Sequence, residues 1–285
     1  MSHTTLIASR PLRQHLDAPD WRVFDCRFDL FDPAKGRRSY QESHIPGSVY
    51  ADLDHDLSGP IALDSGRHPL PAAAHFTRWL GAQGVGPNTQ VVVYDDAQGA
   101  IAVRLWWMLK WLGHEAVALL DGGWQGWLGE GNPHDAQVPT PQPAEFRAHC
   151  DTSRVIDTPA LERALACDQI RLIDVRTAMR FRGEQEPIDP IAGHIPGAVN
   201  LPYAEHLDHN GRFYSPAELR RRYRPILGDD SAANAVFMCG SGVTACHGLL
   251  ALEHARLGRA RLYPGSWSEW IRDPRRAVTS GDALK

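Results

Sequence analysis

The residues best suited to chemistry lie in one run, Val236-Phe237-Met238-Cys239-Gly240-Ser241-Gly242-Val243-Thr244-Ala245. An apolar stretch leads into a cysteine, two glycines follow one residue apart, and a helical pattern begins at Val243. A strand–loop–helix turn of this kind can aim several backbone N–H groups, and the positive end of a helix dipole, at one sulfur atom. Such surroundings lower a thiol's pKa and hold an anion, so Cys239 is the candidate nucleophile. Cys246 falls about two helical turns further on, too far for easy disulfide closure, and is read as a packed helix residue.

The elements that must position this run recur elsewhere in the chain. The first half contains Val23-Phe24-Asp25-Cys26-Arg27, then His44-Ile45-Pro46-Gly47, Val91-Val92-Val93-Tyr94-Asp95 and Gly122-Gly123-Trp124-Gln125-Gly126-Trp127. The second half answers with Leu172-Ile173-Asp174-Val175-Arg176, His194-Ile195-Pro196-Gly197, Val236-Phe237-Met238-Cys239 and Gly265-Ser266-Trp267-Ser268-Glu269-Trp270. Asp25 and Asp174 lie 149 positions apart, and His44 and His194 lie 150 apart. That period is too long for a solenoid and marks a duplicated domain. Within each half, short β-rich runs alternate with longer helical patterns such as Ile101–Leu112, which predicts an α/β fold with a mostly parallel sheet. Ser215-Pro216-Ala217-Glu218 has the serine, proline and glutamate of a helix start. The proline-rich stretch from Pro133 to Pro143 reads as a semi-rigid linker. The expected organisation is a first domain over 1–135, a linker region over 136–150 and a second domain over 151–285.

Bulk composition narrows the function classes. The chain has 285 residues, 43% hydrophobic and 22% charged, with a net charge of −4. This is the composition of a globular enzyme or binding protein, and the charge does not suggest nucleic acid or an anionic membrane as partner. No secretory or membrane-spanning segment is recognisable, so a cytoplasmic location is expected. Five scattered cysteines without a C-x-x-C pair argue against a disulfide framework and a structural zinc site. No metal or other cofactor is expected.

Duplication supplies an internal control: features in both halves serve the fold, and features in one half are candidates for chemistry. The pairs Asp25/Arg27 and Asp174/Arg176 then read as structural ion pairs, the two His-Ile-Pro-Gly segments as turns, and the paired tryptophans as packing anchors. The copies part at the loop, where Asp95 occupies the slot of Cys239. A carboxylate cannot act as a thiolate nucleophile, so the second domain is expected to be catalytic and the first inactive.

At these residues the chain resembles the two-domain rhodanese-type sulfurtransferases over nearly its whole length. The loop Cys239-Gly240-Ser241-Gly242-Val243-Thr244-Ala245 is similar to the form found in the mercaptopyruvate branch, whereas the thiosulfate branch tends to place basic residues after the cysteine. The resemblance implies two tandem rhodanese-like domains and a ping-pong reaction. Cys239 would take sulfur from a small-molecule donor as a persulfide and pass it to a thiol acceptor, such as thioredoxin or a small thiol, or to cyanide. Gly240, Gly242, Val243 and Thr244 would line the anion nest. The resemblance groups Ser241 with His68 and Asp54 as a proton relay, in a cleft between the domains. It also matches Arg180 to the arginine that binds the donor's anionic group, and Phe31 stands at the corresponding place in the first copy. The family's second carboxylate-binding arginine is missing, because Ile188 follows Glu186-Pro187. Arg176 and Arg182 are candidates to replace it.

Three other readings compete. A thiosulfate:cyanide sulfurtransferase would use the same loop with a different donor. A Cdc25-like phosphatase would need an arginine six residues after the cysteine, where Ala245 stands. A non-catalytic interaction module would suit a chain in which both copies had lost the cysteine.

Overall fold

The computed structural model describes residues 2–228 and 232–282. The chain forms two compact units, one made of Met1–Gly59, Leu70–Asp151 and Asn210–Arg212, the other of Pro60–Pro69, Thr152–His209 and Phe213–Lys285.

In the first unit the strands are β1 (Leu6–Ile7), β2 (Trp21–Asp25), β3 (Val49–Tyr50), β4 (Gln90–Tyr94) and β5 (Val117–Leu120). They form one parallel sheet in the order β1-β5-β4-β2-β3. Its helices are α1 (Ser9–Arg13), α2 (Ala34–Glu42), α3 (Ala73–Ala82), α4 (Val103–Trp111) and α5 (Gly123–Gly129). Every residue of β4 is buried, as a parallel strand covered on both faces requires. The core on one side of the sheet joins Ile7, Leu12, Val23, Val92, Tyr94, Trp124 and Trp127. The proline-rich stretch after α5 is pinned to this unit, with the Ala144 N–H donating to the Gly81 carbonyl at 2.9 Å and the His149 N–H to that of Leu112 at 2.9 Å.

The second unit repeats the pattern with β6 (Arg171–Asp174), β7 (Val199–Asn200), β8 (Ala235–Met238) and β9 (Arg261–Leu262), parallel in the order β7-β6-β8-β9. A parallel bridge from Val155 to Leu262 stands at the edge where the first unit has β1. Its helices are α6 (Thr158–Ala166), α7 (Ala178–Phe181), α8 (Pro216–Leu227), α9 (Ala245–His254) and α10 (Ser266–Trp270). Asp157 caps α6 by accepting from the Ala160 N–H at 2.8 Å, and Ser215 caps α8 by accepting from the Glu218 N–H at 3.3 Å. Among the described residues no helix is long and apolar enough to cross a membrane.

The features common to both halves serve the fold. Asp25–Arg27 and Asp174–Arg176 are buried ion pairs, each 2.6 Å long, and each guanidinium lies 4.7 Å from the ring centre of a tryptophan, Trp124 or Trp267. His44 and His194 bond locally through Nδ1 to the carbonyls of Tyr40 and Phe181. In each sheet the chain goes from an inner strand, β2 or β6, to one side and then crosses to the other, to β4 or β8. Ligands of open α/β sheets bind where the strand order reverses in this way, beyond the carboxyl ends of the strands. Asp95 and Cys239 are the first residues past β4 and β8.

Candidate active site

Cys239 is buried, and the loop that begins with it is fixed by α10. The Trp267 N–H donates to the Cys239 carbonyl at 3.0 Å and the Ser268 N–H to the Gly240 carbonyl at 2.9 Å. Across a trans peptide the N–H points opposite to the C=O, so the amides of Gly240 and Ser241 face away from α10. Gly242 completes the turn at φ +77°, and a Cβ there would run into the Pro264 carbonyl oxygen. The helix expected from Val243 begins at Ala245, because Val243 and Thr244 still belong to the turn that Gly242 opens.

The first copy displays what such a loop can hold. The register pairs Asp25 with Tyr94 and Asp174 with Met238, which makes Asp95 the positional counterpart of Cys239. The Asp95 carboxylate accepts four backbone N–H groups, from Ala97 at 2.9 Å, Gly99 at 2.7 Å, Ile101 at 2.9 Å and Ala102 at 2.7 Å. Burial pushes its pKa up, and the four amides pull the other way. The turn after the strand is thus an anion cradle by construction, filled here by a side chain of the chain itself.

Ser241 and His68 come together: His68 Nδ1 lies 2.7 Å from Ser241 Oγ, with both residues buried. Although His68 stands in the first half of the sequence, Pro60–Pro69 belongs to the same compact unit as Cys239. That segment is tied down by the Arg67 N–H, which donates to Ser268 Oγ at 3.1 Å, and by Arg272 Nε, which donates to the Ser65 carbonyl at 3.3 Å. Asp54 belongs to the first unit, where its N–H donates to Asp52 Oδ1 at 3.0 Å.

Arg180 projects from α7. Its guanidinium pairs with Glu186 at 2.8 Å and with Asp189 at 3.1 Å, and both carboxylates are buried. Burial pushes the Asp189 carboxyl above its ordinary range while Arg67 pulls it back. A Cβ on Gly240 would lie 3.5 Å from Arg180 Nη2, which places the guanidinium beside the cysteine loop. The two candidates for the missing second arginine are committed elsewhere. Arg176 bonds Asp174, Glu186 and the Gly193 carbonyl beneath Trp267, and Arg182 turns to Glu184 in an ion pair reached by solvent.

Ser266 is a site residue that motif reading missed. Its Oγ accepts the Cys239 N–H at 3.0 Å and donates to the Tyr263 carbonyl at 2.9 Å. The counterpart is Gly123, at φ +56°, and Ser266 adopts φ +52° although a serine there carries strain. Comparing Gly122-Gly123-Trp124 with Gly265-Ser266-Trp267 would have exposed it, since a side chain is present only beside the cysteine.

Known proteins share this design. Residues 10–130 and 157–273 each match the model of the rhodanese-like domain. A probable 3-mercaptopyruvate sulfurtransferase of Pseudomonas aeruginosa is 46% identical over 284 residues, spanning 99% of this chain and 100% of that one. A thiosulfate sulfurtransferase of Mus musculus is 34% identical over 276 residues, spanning 94% and 91% of the two chains. The solved 3-mercaptopyruvate sulfurtransferase from Leishmania major superposes with a TM-score of 0.83 at 33% identity, covering 95% of this chain and 76% of that one.

Proposed function

Because the chain belongs to the rhodanese-like domain family, we propose that it is a sulfurtransferase that moves sulfur from 3-mercaptopyruvate to a thiol acceptor or cyanide through Cys239. The observation that carries this reading is the buried Cys239 at the switch point of its sheet, on the loop whose Ser241 is bonded to His68.

The Cys239 thiolate attacks the donor sulfur. The C–S bond breaks, its electrons leave as the enolate of pyruvate, and a proton completes pyruvate while the sulfur stays on Cys239 as a persulfide. An acceptor thiolate or cyanide then attacks the outer sulfur, and the electrons of the S–S bond return to Cys239. Thiolate and persulfide are both anions, and the amides turned away from α10 favour both. The Ser241–His68 pair provides a hydrogen-bonded route for a proton at the substrate. A reducing compartment such as the cytoplasm suits a mechanism that runs on thiols.

Incubation with 3-mercaptopyruvate should add the mass of one sulfur atom to the peptide containing Cys239, and Cys239→Ser should abolish both the adduct and pyruvate release. Unmodified Cys239 during full turnover would overturn the mechanism. Sulfite release from thiosulfate faster than pyruvate release from mercaptopyruvate would reassign the donor.

A further inference from the structure

Ile188 stands where the family resemblance called for a second donor-binding arginine, yet a second guanidinium reaches the cysteine loop from elsewhere. Arg67 Nη2 lies 2.9 Å from the point a Gly240 Cβ would occupy, on the same flank as Arg180 Nη1 and Nη2 at 3.6 and 3.5 Å. Both guanidinia bind the buried carboxylate of Asp189, Arg67 through Nη1 and Arg180 through Nη2. Arg67 and Ile188 line one cavity of about 360 Å³, together with Asp189, Pro190, Ser268 and Ile271. Arg67 Nε is buried without a hydrogen-bond partner among the described residues.

We infer that Arg67 is a donor-binding residue, whose guanidinium closes with that of Arg180 on the anionic end of the sulfur donor in place of the arginine lost at 188. Asp189 is the positioning residue, holding the two forks side by side. Two guanidinium groups that flank one point suit a carboxylate or sulfonate, each of which can accept more than one N–H bond. The placement also couples binding to chemistry. Arg67 is followed directly by His68, and its own N–H is bonded to Ser268 Oγ, whose backbone N–H holds the Gly240 carbonyl. The anion clamp and the Ser241–His68 pair therefore hang on one short segment.

The inference rests on the sulfur-transfer reading for the identity of the donor but not for the clamp itself, and two measurements separate them. Alkylation of Cys239, read on its own peptide because Cys150 and Cys167 are exposed, compares anionic iodoacetate with neutral iodoacetamide. Arg67→Ala should lower the iodoacetate-to-iodoacetamide rate ratio about tenfold, and adding Ile188→Arg should recover part of it. In turnover of 3-mercaptopyruvate, Arg67→Ala should raise KM about 10- to 100-fold with kcat within about twofold. Arg67→Lys, which keeps the charge but not the fork, should fall between and serves if the alanine variant fails to fold. An unchanged alkylation ratio in a folded variant overturns the clamp whatever the donor is. A lowered ratio in a protein that releases no pyruvate keeps the clamp and overturns the mercaptopyruvate reading.

Discussion

His68 Nδ1 and Ser241 Oγ stand 2.7 Å apart in the interior, though 173 positions separate them in the chain. A hydroxyl two residues beyond the nucleophile and bonded to an imidazole can pass a proton in either direction without being consumed.

Ser241→Ala should therefore lower kcat for mercaptopyruvate by about 100-fold, the scale of a lost general acid or base, with a much smaller change in KM. His68→Asn should do the same, and the double variant should be little worse than either single one, because the two act as a unit. Steady-state kinetics on the three variants checks this. Additive losses would separate the pair.

Ser266→Gly tests how the nucleophile is held. Glycine relieves the strain of a serine at φ +52° and reproduces the first copy's Gly123, but it removes the acceptor of the Cys239 N–H. The two stability effects are each about 1 kcal/mol and opposed, so the unfolding free energy should stay within about 1 kcal/mol of wild type. Persulfide formation should slow by about tenfold, because the loop loses its anchor at the reacting residue. Rapid-mixing kinetics beside a denaturant titration separates the two outcomes.

Much of the candidate site is legible in the sequence because it is local or duplicated. The loop from Cys239 to Ala245 is contiguous, and the Asp95 copy marks, without any second protein, the position at which the two halves differ. What escaped was non-local and unmotivated by composition. Arg67 lies in an irregular segment of the first half, and nothing in Gly66-Arg67-His68-Pro69 tells which guanidinium fork will meet Gly240. Asp189 follows the conspicuous Ile188, and its role depends on two arginines that arrive from different segments. The replacements offered by proximity in sequence, Arg176 and Arg182, are held in ion pairs of their own. A guanidinium pairs with the nearest buried carboxylate, Asp174 for the first, and otherwise with an exposed neighbour, Glu184 for the second.

Asp95→Asn should destabilise the first unit. An asparagine can keep one acceptor oxygen in the cradle, but its NH2 then faces amides that donated to the other carboxylate oxygen. Bonds to a buried charged acceptor are lost and donors are left unsatisfied, a cost of about 2–4 kcal/mol. Asp95 takes no part in the proposed chemistry, so sulfur transfer per folded molecule should not change. Denaturation midpoints and active-site titration check the two halves of this prediction. A stable Asp95→Asn protein would mean that the four amides find other acceptors.

Acid sensitivity should begin near neutrality, and its source is histidines that burial holds neutral, among them His114, His254 and a histidine chain in the second unit. The Tyr223 hydroxyl donates to the Gly248 carbonyl at 2.9 Å, so at 3.0 Å it must accept from His206 Nε2. His206 Nδ1 is then an acceptor, 3.1 Å from His247 Nδ1, which must carry the proton. Burial holds the His206 pKa well below its ordinary 6.5, and burial likewise lowers His194. Above pH 6.5 both rings are neutral in the folded and unfolded chains, and the full stability is present. Below 6.5 the unfolded chain takes up protons that the folded one refuses, so stability falls as pH drops toward the folded values, by up to about 1.4 kcal/mol per pH unit for each ring. Carboxylates bonded to arginines, such as Asp273, also lose stability on acidification, but only below about pH 4, where they begin to protonate when unfolded. Chemical denaturation at a series of pH values between about 5 and 7.5 should therefore show unfolding free energy rising with pH and levelling above neutrality. His206→Gln should lower the slope below pH 6.5 by about one proton. An unchanged slope in His206→Gln would show that His206 takes up its proton in the folded protein as readily as in the unfolded one, and the tautomer chain through Tyr223 would be wrong.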